Sequence, residues 1–93
     1  MKNKEVIRFT ADWCGPCKHF APTFDKVSEE FKDSLKTTVA DVGSLEGNDL
    51  ARKYGILGIP AVVFLLDGEV VSVLGGNQPT QVVQEEFKKL QDK

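Results

Sequence analysis

Residues 61–66 read Ala-Val-Val-Phe-Leu-Leu, entered from Pro60 and left through Asp67-Gly68. Six apolar residues without alternation suit a strand that is covered on both faces, and so a sheet with a layer above and below it. Asp67-Gly68 is the favoured two-residue hairpin turn, so Glu69–Leu74 ("EVVSVL") returns beside the first strand. Gly75-Gly76-Asn77 then breaks the sheet.

The rest of the chain supplies the covering layers. Glu5 to Ala11 reads as a strand, with Val6, Ile7 and Phe9 apolar. Helical spacing follows: Cys17, Phe20, Phe24, Val27 and Phe31 recur every three or four residues and form one buried seam. Pro22 lies inside that seam and predicts a bend rather than a stop. Thr37–Val42 is a second strand. Gly47 to Lys53 is a short helix closed by Gly55 as its C-cap. Thr80 to Gln91 is an amphipathic helix with Val83, Phe87 and Leu90 inward. Phe20, Phe24, Phe31, Phe64 and Phe87 are core. The order is β-α-β-α-β-β-α, an α/β fold: a four-stranded mixed sheet flanked by helices, with a right-handed crossover in the first half and a hairpin in the second.

Ninety-three residues make one small domain, residues 1–93. The net charge of −2 provides no basic field for nucleic acid or an anionic membrane. No apolar run approaches the roughly 20 residues of a membrane span, and "MKNKEVIRFTADW" lacks a signal-type apolar stretch. The expectation is a cytoplasmic protein, where a cysteine pair is more often catalytic or metal-binding than structural.

Both cysteines lie in "ADWCGPCK", Cys14 and Cys17. Zinc needs four ligands, and the chain offers Cys14, Cys17 and His19 without a second cluster; an iron–sulfur centre fails on the same count unless two chains share it. A structural bridge across two residues closes so short a loop that it stabilises little. A reversible dithiol fits better. Cys14 stands where a strand ends and a helix begins, and the free N–H groups and positive dipole end there favour a thiolate. Cys17, one helical turn on, can attack a mixed disulfide formed at Cys14 and release the substrate. Pro16 suits the first turn, where its missing N–H costs nothing. Trp13, at the strand end, is expected partly exposed beside the pair. Lys18 and His19 read as solvated surface residues.

"WCGPCK" resembles the active site of the thioredoxin family. The likeness covers nearly the whole chain: "FTADWCGPCKHFAPTFDKV" resembles the family's active-site strand and helix, "ARKYGILGIPAVVFLLDGEVV" its second half, and Gly75-Gly76 the glycine site before the last helix. The resemblance implies a thioredoxin-like fold and a protein-disulfide reductase, with Cys14 attacking and Cys17 resolving. It implies a cis bond at Ile59-Pro60, where position alone would suggest a plain pre-strand proline. It implies that a substrate peptide pairs with the Ile59 backbone as an added strand, over a shallow apolar patch of Trp13, Gly15, Ile59 and Gly76. Disulfide-containing proteins and an NADPH-linked, flavoprotein reductase are the implied partners, for a monomer with no bound cofactor. Oxidant or isomerase work is the near alternative, and a binding subunit without redox turnover the distant one. The "CGPC" order is unlike the glutaredoxin "CPYC", which speaks against a glutathione-using role.

The sequence departs from the family twice. Only Met1 to Lys4 precede the first strand, where thioredoxins usually carry a further strand and helix. Arg8 occupies the position, six before the first cysteine, that usually holds a buried aspartate, and Asp41 falls where the next strand usually has a lysine. Three accounts are open. Arg8 and Asp41 form an ion pair under the sheet, Asp41 accepts the Cys17 proton with Arg8 holding it, or Arg8 lowers the Cys17 pKa by charge alone.

Overall fold

The computed structural model describes residues 2–93. Its elements are β1 (Lys4–Thr10), α1 (Gly15–Glu30), β2 (Lys36–Asp41), α2 (Leu45–Lys53), β3 (Ala61–Leu66), β4 (Glu69–Gly75) and α3 (Thr80–Gln91). The sheet order is β2-β1-β3-β4, with β1 and β2 parallel and β3 antiparallel to both β1 and β4. This is the four-stranded mixed sheet that the apolar pattern predicts. The ends of β1 and β2 and the start of β3 therefore meet at one pole.

The unbroken apolar run of β3 is explained by its central place: Ala61 through Leu65 are all buried. On one face Val6, Val62 and Phe64 pack against Phe20, Phe24 and Val27 of α1 and Val83, Phe87 and Leu90 of α3. On the other, Ile7, Phe9, Ala40, Val63 and Leu65 meet Ala51 of α2, with Leu50, Tyr54 and Ile56 at the margin. Each fully buried aliphatic or aromatic side chain contributes about 1.5–3 kcal/mol of transfer free energy.

Several boundaries move, each for a local reason. α1 continues through Pro22, losing only the bond that its N–H would have made one turn back. Phe31 caps the helix rather than lying in it, and its half-buried ring packs 5.4 Å from that of Phe87. α2 begins at Leu45, two residues before the Gly47 expected from the sequence. Ser44 is its N-cap, accepting the Gly47 N–H at 3.0 Å while its hydroxyl donates to the Asp41 carbonyl at 2.7 Å. Its far end closes one residue earlier than expected: Tyr54 is the C-cap, and Gly55 follows it at φ 69°, its N–H bonded to Arg52 and that of Ile56 to Ala51. Asp67 and Gly68 both have positive φ, 51° and 85°, as a tight hairpin needs. β4 runs one residue further, pairing Gly75 with Ala61, and its register slips at Val71, which no residue of β3 opposes.

Candidate active site

β1 delivers the chain to the pole where α1 starts. The Ala11 carbonyl accepts the Cys14 N–H at 3.1 Å, which folds Asp12 and Trp13 into a turn. Cys14 is the N-cap in extended conformation, and its Sγ accepts the Cys17 N–H at 3.2 Å. A sulfur here serves the role that a serine or aspartate oxygen serves at other helix starts, so negative charge on it is favoured. Pro16 sits in the first turn, where no N–H is missed.

The two cysteines are joined as a disulfide, with Cα atoms 5.3 Å apart. Cys17 is wholly buried, whereas Cys14 keeps 6% of its surface. Cys14, at the helix cap, is thus the less enclosed of the two. Ala11, Cys14 and Cys17 form a small apolar cluster against Val42 and Ile59. Ile59-Pro60 is cis, as the resemblance implies, and the Ile59 carbonyl oxygen is 4.0 Å from Cys14 Sγ. The Gly76 N–H donates to the Pro60 carbonyl at 2.9 Å, at a φ of 84° that favours glycine. Cys14, Cys17, Ile59, Pro60 and Gly76 are therefore brought to one place, with Gly15 exposed beside them on the first turn of α1.

Trp13 is 75% exposed. Its ring walls an open depression of about 190 Å³ with Val42, Asn48, Ile56, Leu57 and Ile59. A second depression of about 260 Å³ lies across Leu57, lined by Pro60, Val73, Gly75 and Gly76. Leu57 is the most exposed large apolar side chain among the described residues and lines both depressions, with Ile56 and Gly58. Reading the sequence by element passed over it. The signal was present, a leucine between Gly55-Ile56 and Gly58 where nothing else would bury it.

Arg8 and Asp41 are not brought together, which overturns the ion-pair account and the one in which Arg8 holds Asp41 in place. Among the described residues the ion pairs are Lys32–Glu29 and Lys89–Glu86. Asp41 is exposed at the end of β2, and its Oδ1 accepts the Gly43 N–H at 2.8 Å. Arg8 is 7% exposed, its Cζ stands 5.4 Å from the Phe24 ring centroid, and its Nε has no hydrogen-bond partner. Burial pushes its pKa down, and the field of Asp25 on α1 partly opposes this. The reason is register. Arg8 pairs with Val39 and Val62 and shares the α1 face of the sheet with Val6, while Asp41 lies beyond it opposite Thr10. Among the described residues, no three His, Cys, Asp or Glu side chains converge to hold a metal ion.

A cysteine capping a helix start, bonded to a buried cysteine one turn along, is the arrangement of a thiol–disulfide oxidoreductase. The thioredoxin family model matches residues 1–89. The thioredoxin of Bacillus subtilis (strain 168) is 43% identical over 77 residues, spanning 83% of this chain and 72% of that protein. Thioredoxin C-2 of Corynebacterium nephridii is 42% identical over 74 residues, 80% of this chain and 67% of that protein. The chain belongs to the thioredoxin family. No helix among the described residues is long and apolar enough to cross a membrane.

Proposed function

We propose that this chain reduces disulfide bonds in other proteins, with Cys14 as nucleophile and Cys17 as resolving thiol. The observation that supports this most directly is the Cys14 sulfur accepting the Cys17 N–H at the start of α1 while facing the Ile59 carbonyl. In the dithiol state the Cys14 thiolate attacks one sulfur of a substrate disulfide. The other substrate sulfur leaves and takes up a proton. Cys17 then loses its proton and attacks Cys14 Sγ, which frees the second substrate thiol. Two electrons and two protons pass to the substrate, and the protein is left in the Cys14–Cys17 disulfide form.

The substrate backbone adds as a strand beside Ile59, across the cis bond to Pro60, and lies over Trp13, Gly15 and Gly76. We assign the Cys17 proton to water rather than to Asp41, whose carboxylate is exposed at the end of β2 and turned to the Gly43 N–H. The dithiol is restored by a separate NADPH-linked flavoprotein reductase. The chain works as one domain and one copy in the cytoplasm, as an electron carrier for redox homeostasis.

Insulin with dithiothreitol as terminal reductant tests the reading. The protein accelerates reduction of the insulin disulfides, Cys14→Ser abolishes the acceleration, and Cys17→Ser accumulates a covalent mixed disulfide with substrate. Failure of the unaltered protein to accelerate the reaction refutes it.

A further inference from the structure

Arg8 is the one charged residue that is buried among the described residues, and the exchange chemistry does not use it. It lies under the helix that the dithiol caps. Its neighbours across the sheet are Val39 and Val62, and α1 presents the Phe24 ring to its guanidinium. The side chains that α3 sends into the same core are Val83, Phe87 and Leu90, all apolar. Asp25 on α1 is the acid whose field reaches it, with no ion pair formed. The remaining charges near the cysteines, Asp12, Lys18, His19 and Asp41, are exposed and screened by water.

Cys17 and Phe24 lie on the same buried stripe of α1, two helical turns apart. At 1.5 Å per residue that is roughly 10 Å of mostly apolar interior. The disulfide carries no charge that could answer the cation. The dithiol does, once either thiol ionises, and the dipole of α1 favours the same ion.

We propose that Arg8 is an internal charge that sets the redox poise of the Cys14–Cys17 pair, its buried cation favouring the thiolate-bearing reduced form over the disulfide. The inference rests on the pair being the working dithiol. Arg8 touches neither sulfur nor substrate and acts only through its field. The sign is definite. A cation lowers the thiol pKa, the reduced form gains at neutral pH, and the couple becomes more oxidising than the same fold with a neutral residue there. Two unit charges about 10 Å apart at an effective dielectric near 20 interact by roughly one pKa unit, which puts the scale of such an effect at about tenfold in the equilibrium.

Arg8→Met and Arg8→Gln test this, since both remove the charge and they fill the space differently. A buried Arg replaced by a hydrophobic residue of similar volume is commonly tolerated. Two readouts are needed: thiol titration by ultraviolet thiolate absorbance, and the dithiol–disulfide equilibrium in glutathione buffers of known ratio. Both variants should raise the lower thiol pKa and shift the equilibrium toward disulfide by about threefold to tenfold, in step with each other. A dithiol–disulfide equilibrium constant within twofold of that of the unaltered protein in either variant overturns the proposal. So does a divergence between the variants that follows their stabilities, which assigns Arg8 to packing alone. These readouts need no protein substrate, so the charge effect can stand or fall separately from insulin reduction.

Discussion

The two faces of the sheet are built differently. Beneath α1 and α3 the filling is aromatic, and the Phe87 ring lies 5.7 Å from Phe24, 5.4 Å from Phe31 and 5.5 Å from Phe64. Beneath α2 it is thin. Ala40 and Ala51 are the small residues there, and Gly47 lets α2 rest on β2 so closely that a Cβ would overlap the Asp41 carbonyl. The thick face is a ring lattice far from solvent. The thin face supports the Ile56–Pro60 segment that forms one wall of the site. The aromatic face carries most of the stability together with the helix that bears the dithiol, while the thin face carries the wall opposite it, so core and wall can be disturbed separately.

The largest stability effect belongs to the thick face. Phe87→Ala should cost about 3–5 kcal/mol in urea unfolding and leave disulfide reduction per folded molecule unchanged. Loss of activity without loss of stability would break the division. Next comes Gly47→Ala, at about 1–3 kcal/mol. Because backbone rather than a flexible side chain must yield, α2 shifts and carries Ile56 and Ile59 with it, so insulin reduction should slow in proportion beyond the stability loss. Unchanged reduction kinetics would show that the site wall does not depend on α2.

The smallest effect is electrostatic and sits at the edge of the thick face. Glu86 accepts the Ser72 hydroxyl at 2.8 Å and pairs with Lys89 at 3.0 Å, which hold its pKa below the ordinary 4.5. A carboxylate held low in the folded state stabilises above its unfolded pKa, and that contribution fades as pH falls through the folded value. Ser72→Ala should weaken the protein modestly at neutral pH and flatten the stability loss on acidification below about 4.5, measured by thermal unfolding across that range. An unchanged acid limb would mean that the Ser72–Glu86 bond contributes nothing measurable.

Most of the fold could be read from the pattern of residues. The unbroken run at 61–66, the seam from Cys17 to Phe31 and the Asp67-Gly68 turn each depend on short-range periodicity or on backbone geometry, which neighbouring residues determine. The start of α2 escaped because its signal is a side chain, Ser44, reaching the Gly47 N–H, and serine is common in loops. The cysteine pair was legible for the opposite reason: its chemistry needs a strand end, a helix start and a two-residue gap, all local. Leu57 was not singled out, because an exposed leucine has meaning only once its neighbours are known.

The amino-acid order by itself determined the sequence of elements, the face each strand and helix buries, and the placing of Cys14 and Cys17 on one helical turn, since all of these follow from spacings of two to four residues. Only the tertiary structure decided that Arg8 is buried beside Phe24 without an ion-pair partner, that Asp41 stands apart from it, and that Gly47 is the contact point between α2 and β2. Those outcomes depend on which residues from distant segments share a face and at what distance, and local spacing carries no information about that.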